Sequence, residues 1–286
     1  MTDTSKAAAA AGTITIGGDM TVNRLGYGAM RIVGKGVWGP PPDSESAKSV
    51  VRHAIASGVN FIDTADSYGP DVSEELIAAA LAPYPADVVI ATKGGLVRPG
   101  PDNWQRDARP EHLRDALEGS LRKLKRTSVD LYQLHAPDPK VPYAESLGAL
   151  AEMQTAGKIR HIGISNVSMA QLAEARSIVD VVSVQNRYNY EDRSSEEVLD
   201  VCSRAGIAFL PWAPVGGLSP LKARVLEHLA SDHGASTLQI AIAWLLRRSP
   251  MMLPIPGTGS VSHLDENIAS ASIHLSDEEF ASLGNA

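Results

Sequence analysis

Eight short apolar runs, rich in Val and Ile, recur along this chain with helix-like segments between them. They fall at Leu25–Ala29, Val59–Ile62, Val88–Thr92, Val129–Leu134, Ile159–Ile164, Val181–Val184, Ile207–Pro211 and Met251–Ile255. The runs are continuous rather than alternating, which suits strands buried on both faces, as in parallel sheets. Strand and helix in strict alternation give an α/β architecture, and eight such units close into a (β/α)8 TIM barrel. The length, 286 residues, is ordinary for one barrel of this kind, typically about 250 residues.

The intervening segments carry helix signals. Ser44–Ala56 sets Val50, Val51 and Ile55 on one face and runs to Gly58, a suitable C-terminal cap. Pro110 opens a segment that reaches Lys125, as Pro does at a first helical turn. Further helices are expected at Glu74–Leu81, Tyr143–Thr155, Ser168–Ile178, Ser195–Arg204 and Thr237–Arg248. Ahead of the first barrel run, Thr13–Ile16 and Met20–Val22 flank Gly17-Gly18, which predicts an N-terminal β-hairpin with a two-residue turn. Residues 1–12, with alanines from Ala7 to Ala11, read as a disordered tail, and 13–286 as one domain. Gly94–Ala108 is a long Gly- and Pro-containing loop with Trp104 in it; loops that long inside compact domains are usually functional.

Composition narrows the function classes. The formal net charge of −7 opposes binding to nucleic acid or to an anionic membrane, both of which need a basic footprint. A single cysteine, Cys202, excludes an internal disulfide or a cysteine metal cluster and reads as a small core residue. The start of the chain lacks the features of a signal peptide, and no stretch has the roughly 18 apolar residues of a membrane span, so a cytoplasmic protein is expected.

The chemistry gathers where the runs end. Phe61-Ile62 leads into Asp63 with Tyr68 just beyond, Ala91-Thr92 into Lys93, and Gln133-Leu134 into His135. About 30 residues, one βα unit, separate Asp63 from Lys93 and His135 from Ser165. In a parallel barrel these strand ends share one face. A lysine and an aspartate beside a phenol can tune its acidity, and a histidine can hold a carbonyl oxygen.

In order along the chain, Gly26-Tyr27-Gly28, Asp63-Thr64-Ala65-Asp66-Ser67-Tyr68-Gly69, Ala91-Thr92-Lys93, Asp130-Leu131-Tyr132-Gln133-Leu134-His135, Gly163-Ile164-Ser165-Asn166 and Pro254-Ile255-Pro256-Gly257-Thr258 resemble the aldo-keto reductase superfamily from about Thr13 to Phe280. The resemblance implies reduction of aldehydes and ketones to alcohols with NADPH, or with NADH as the alternative, on a small-molecule carbonyl substrate, by a monomer that needs no metal. It implies a catalytic tetrad of Asp63, Tyr68, Lys93 and His135, with Tyr68 as general acid. Cofactor contacts would come from Gly28, Ala29, Met30 and Arg31 after the first run, from Asp63, and from Ser165, Asn166 and Gln185 around the nicotinamide. Trp212 would stack on the ring, followed by Ala213, Pro214, Val215 and Gly216. The phosphate segment would be Gly257, Thr258, Gly259 and Ser260, then His263, Glu266 and Asn267. No Lys or Arg lies between Pro254 and Asn267, so His263 is the basic side chain available there for a 2′-phosphate. Trp38, Tyr68, Trp104 and His135 would line the substrate mouth. Two rival readings stay open: a redox-sensing nicotinamide-binding subunit with slow chemistry, and a barrel lyase or isomerase using Lys93 for a Schiff base.

Overall fold

The computed structural model describes residues 4–214 and 224–284. Seven parallel strands form a curled sheet: β3 (Tyr27–Gly28), β4 (Phe61–Asp63), β5 (Val89–Gly94), β8 (Val129–Leu134), β9 (Ile159–Ser165), β10 (Val181–Gln185) and β11 (Ala208–Phe209), hydrogen-bonded in that order. The eighth apolar run closes the barrel without forming a regular strand. Phe209 N–H donates to Met251 O at 2.8 Å, Leu253 N–H to Phe209 O at 2.9 Å, and Gly26 N–H to Pro254 O at 2.9 Å. Pro254 and Pro256 lack an N–H, which interrupts the ladder there.

Helices cover the outside, the segments named above among them: α1 (Ser44–Ala56), α2 (Val72–Leu81), α3 (Pro110–Leu124), α4 (Tyr143–Thr155), α5 (Met169–Ile178), α6 (Glu196–Ala205), α7 (Arg224–Asp232), α8 (Thr237–Arg248), α9 (Val261–Ala269) and α10 (Asp277–Gly284). Their termini are satisfied locally. Asp43 accepts from the Glu45 and Ser46 N–H groups, Ser168 and Ser236 form capping boxes with Gln171 and Gln239, and Gly206 ends α6 in the left-handed region. Cys202 sits in the core between α6 and the sheet, where burial pushes its thiol up to about 12. Among the described residues no helix is long and apolar enough to cross a membrane.

Side chains alternate across each strand, so the barrel has two cores. Ile62, Ile90, Tyr132 and Leu134 face the helices, whereas Phe61, Val89, Ala91 and Leu131 point inward. The bottom of the inner core is filled by the hairpin of β1 (Thr13–Ile16) and β2 (Met20–Asn23), through Ile14, Ile16, Met20 and Val22. Its turn is longer than the sequence suggests. Ile16 pairs with Met20, so Gly17, Gly18 and Asp19 make a three-residue loop with both glycines at positive φ. Asp19 lengthens the turn and its carboxylate meets Arg160 (2.9 Å) and His161 (2.6 Å) at the start of β9.

Two other expectations are corrected. Residues 4–11, expected in a disordered tail, form a 3-10 helix in which Ala8 is fully buried and donates its N–H to Ser57 O at 3.1 Å. Alanine methyls are small enough to let this backbone lie against α1 and α9. The loop Gly94–Ala108 is itself structured, as an antiparallel hairpin of β6 (Leu96–Gly100) and β7 (Asn103–Arg106) standing over the C-terminal face of the barrel.

Candidate active site

Strand register builds the site. Asp63 lies beside Ala91 and Gly28, and Lys93 beside Gln133. With a side-chain period of two, Lys93 follows Val89 and Ala91 on the inward face, one layer above the inner core. Lys93 is fully buried there. Its ammonium donates to Asp63 Oδ2 at 2.7 Å and to Thr64 O at 2.8 Å, and reaches the Tyr68 hydroxyl at 3.5 Å. Asp63 is held in turn on its other oxygen by Gln133 Nε2 (3.1 Å) and Gln185 Nε2 (2.8 Å). An ion pair this deep survives because the remaining lone pairs are satisfied.

Tyr68, on the turn after β4, packs edge-on against the His135 ring (5.9 Å between centroids) and the Trp104 ring (6.4 Å). His135 Nδ1 lies 3.3 Å from Ser67 Oγ. Burial, with a smaller push from Lys93, holds His135 well below the ordinary histidine value, so the ring is a neutral imidazole at neutral pH. Burial raises the Tyr68 phenol, and the charge of Lys93 pulls it only part of the way back. Burial disfavours the Lys93 ammonium, yet Asp63 and Tyr68 outweigh it and hold its pKa above the ordinary lysine value.

Above these groups opens a cavity of about 530 Å³. Its lining includes Gly28, Met30, Arg31, Asp63, Tyr68, Trp104 and His135, together with Ser165, Asn166, Gln185, Trp212, Ala213, Pro214 and Gly257. Asn166 has φ +59, a left-handed conformation asparagine tolerates, and its side chain donates to His135 O (2.9 Å) and to Ser165 Oγ (3.0 Å). Trp212 Nε1–H donates to Asn166 Oδ1 at 3.0 Å, which fixes the indole plane at the cavity wall. Ala213 next to it also takes a positive φ of 52, and its carbonyl accepts from Asn189 Nδ2 at 2.9 Å. Backbone crowding at the rim accounts for glycine: a Cβ on Gly257 would lie 2.6 Å from Gly28 O, and one on Gly259 would lie 2.9 Å from Arg31 O.

Several expected residues lie elsewhere. Ala29 is buried in the outer core. Thr258, Gly259, Ser260, His263, Glu266 and Asn267 form the approach to and first turns of α9, outside the cavity, with Ser260 as its N-cap. Trp38 does not line the cavity; it stands behind the hairpin, near Arg98. Val215 and Gly216 lie outside the described residues. Leu96, Arg187 and Ile255 line the cavity without having been singled out. Only Gln133 among the missed contacts had a visible signal, since it stands two residues before His135 on an inward position.

The chain matches the model of the aldo/keto reductase family over residues 24–286. It belongs to that family. Pyridoxine 4-dehydrogenase of Escherichia coli is 45% identical over 278 residues, covering 95% of this chain and 96% of the relative. A thermostable aldo-keto reductase solved with the inhibitor epalrestat is 35% identical with a TM-score of 0.85, covering 96% of this chain and 98% of that one. The aldo-keto reductase of Klebsiella pneumoniae solved with NADPH is 25% identical with a TM-score of 0.81, covering 96% of this chain and 94% of that one. The aldo-keto reductase fold is thus the (β/α)8 barrel anticipated from the eight apolar runs.

Proposed function

We propose that this aldo-keto reductase interconverts an aldehyde and its primary alcohol using a nicotinamide cofactor, with Tyr68 as the proton donor. The observation that carries the reading is the buried chain Asp63–Lys93–Tyr68 opening beside His135 into a cavity walled by Trp212. Its donors fit a nicotinamide. Ser165, Asn166 and Gln185 offer polar groups on the wall that carries the flat Trp212 ring, and Arg31 lies exposed beside Gly257. The cofactor, when bound, supplies the hydride that the carbonyl carbon accepts. Tyr68 gives its phenolic proton to the carbonyl oxygen as negative charge develops there. Lys93 faces the phenolate that remains, and Asp63 holds Lys93 in place. His135, neutral, orients the carbonyl oxygen rather than delivering charge to it.

Tyr68 is protonated at neutral pH, as a general acid must be before the transfer, and the charge of Lys93, which opposes the effect of burial, eases release of the proton. The Escherichia coli relative acts on pyridoxine, an aromatic ring bearing hydroxymethyl groups, and the aromatic walls at Tyr68, Trp104 and Trp212 suit such a ring. NADPH is the preferred cofactor in this reading, with Arg31, beside Gly257, and His263, on the first turn of α9, as basic side chains that would face its phosphates. The test is turnover of pyridoxal and 4-nitrobenzaldehyde with NADPH and NADH, followed by loss of nicotinamide absorbance. Reduction of both aldehydes, faster with NADPH, is expected. No turnover of either with both cofactors overturns the reading. Borohydride trapping of substrate on Lys93 would favour the Schiff-base rival.

A further inference from the structure

Trp104 lies 39% exposed on β7, every residue of which is open to solvent, yet its ring stands against Tyr68 and His135. Core packing does not hold it there. The side chain that does is Arg98, from the partner strand β6. Its guanidinium carbon lies 3.7 Å from the Trp104 ring centroid and 5.8 Å from that of Trp38. Arg98 is nearly fully buried, and three of its N–H groups bond carbonyls, two in the loop after β3 and one at the start of β7. Nε donates to Asn103 O (3.1 Å), Nη1 to Val37 O (3.0 Å) and Nη2 to Gly36 O (2.9 Å). Val37 has φ +55, a left-handed conformation that a β-branched residue adopts only when its surroundings enforce it. A planar, five-donor cation can bond three carbonyls and still present a face to an indole; a lysine ammonium cannot.

We infer that Arg98 is a positioning residue for substrate selectivity: it joins the loop after β3 to the β6–β7 hairpin and fixes Trp104 as the wall against which a substrate ring packs. The inference rests on the reductase reading, in which Trp104 bounds the substrate side of the cavity. Arg98 touches neither substrate nor cofactor. Its effect passes through the indole, so it acts on ring-bearing substrates and much less on short aliphatic ones.

The test uses Arg98→Met, Trp104→Leu and the double variant in the full chain, with thermal melting to confirm folding. Binding of pyridine-4-methanol is measured by isothermal titration, and KM is compared for pyridine-4-carboxaldehyde and propanal. Each single variant is expected to weaken pyridine-4-methanol binding by roughly 3- to 30-fold, the range of a partly desolvated cation–π contact. The KM ratio of the two aldehydes should shift by a similar factor while kcat moves less. The double variant should bind no more weakly than Trp104→Leu alone. Multiplicative losses in the double variant, or equal KM changes for both aldehydes, would show that Arg98 only braces the loops and would overturn the inference. Titration needs no turnover, so the two readings separate. An unaltered protein that binds pyridine-4-methanol but reduces neither aldehyde sinks the reductase reading, and the titrations still decide the role of Arg98. Should Arg98→Met melt early, Arg98→Lys, which keeps the charge but not the planar face, is expected to lose the same ring selectivity.

Discussion

The ammonium of Lys93 lies 3.5 Å from the phenolic oxygen of Tyr68, at the outer limit of a hydrogen bond, while it holds Asp63 and Thr64 at 2.7 Å and 2.8 Å. The lysine is therefore fixed by the barrel and acts on the phenol by charge more than by a strong bond. That charge has little to gain from the protonated phenol and much to gain from the phenolate, so its effect grows as the proton leaves.

Tyr68→Phe removes the proposed proton donor and little else, since the hydroxyl bonds only the lysine among the described residues. Carbonyl reduction should fall by about 10²–10⁴-fold, the contribution of a positioned general acid. Cofactor affinity and thermal midpoint should stay near those of the unaltered protein. Turnover of 4-nitrobenzaldehyde within a few-fold of the parent would remove Tyr68 from its role.

Lys93→Met tests the tuning charge, and the structure changes what is expected of it. On an open strand end the substitution would leave stability alone. Lys93 is instead fully buried against Asp63, and removing it strands a buried carboxylate held only by Gln133 and Gln185. A loss of about 3–5 kcal/mol is expected from breaking a buried pair, measured by denaturant unfolding, together with collapse of reduction at neutral pH. Lys93→Met, Asp63→Asn removes both charges and should recover part of the stability but none of the activity. Retained activity in either variant counts against the tuning role.

The sequence carried the strand ends because a polar residue closing a Val/Ile run is a local signal, and Asp63, Lys93 and His135 each have one. The groups it did not reveal depend on contacts between distant segments. Arg98 bonds Val37 and Gly36 some sixty residues away, and nothing around Val97-Arg98-Pro99 marks it as more than a loop cation. Arg187 reaches the cavity because the chain turns after β10 and pairs Arg187 with Trp212. The alanines of residues 7–11 looked featureless because their packing value is their smallness, which composition scores as disorder. The missing eighth strand had its cause in plain view, in the prolines at 254 and 256.

Beneath the site, Glu74 is fully buried, accepting from Thr92 Oγ1 at 2.6 Å, with its Oε2 lacking a partner. Burial raises its pKa, and the bond from Thr92 returns only part of that. The folded protein thus keeps the Glu74 proton at pH values where the unfolded chain has released it. Its stabilising contribution is full below the unfolded value, about 4.3, and is lost as pH rises through the folded one. Glu74→Gln, which stays neutral, should therefore gain in thermal midpoint relative to the parent as pH goes from 4 to 8. A difference that stays constant over that range would mean that Glu74 does not titrate with this sign.

Trp212 decides whether the cavity wall is a cofactor platform or only packing. Its indole N–H is tied to Asn166, its backbone N–H donates to Asn186 O at 3.0 Å, and the Arg187 guanidinium lies 5.4 Å from its ring. The ring is anchored at both ends, partly exposed, and borders the cavity. If the nicotinamide stacks there, Trp212→Ala should weaken NADPH binding by about 1–3 kcal/mol, the scale of aromatic stacking on a base. It should also loosen Asn166, which loses the donor that fixes its side chain. Trp212→Phe separates the two effects, because it keeps a flat face but has no N–H. It is expected to recover most of the affinity lost in Trp212→Ala. Fluorescence titration with NADPH, checked by calorimetry because Trp212 is itself a reporter, reads all three proteins. Equal affinities across them would make Trp212 a packing residue and move the nicotinamide to another wall. A Phe variant as weak as Ala would instead assign the effect to the bond with Asn166.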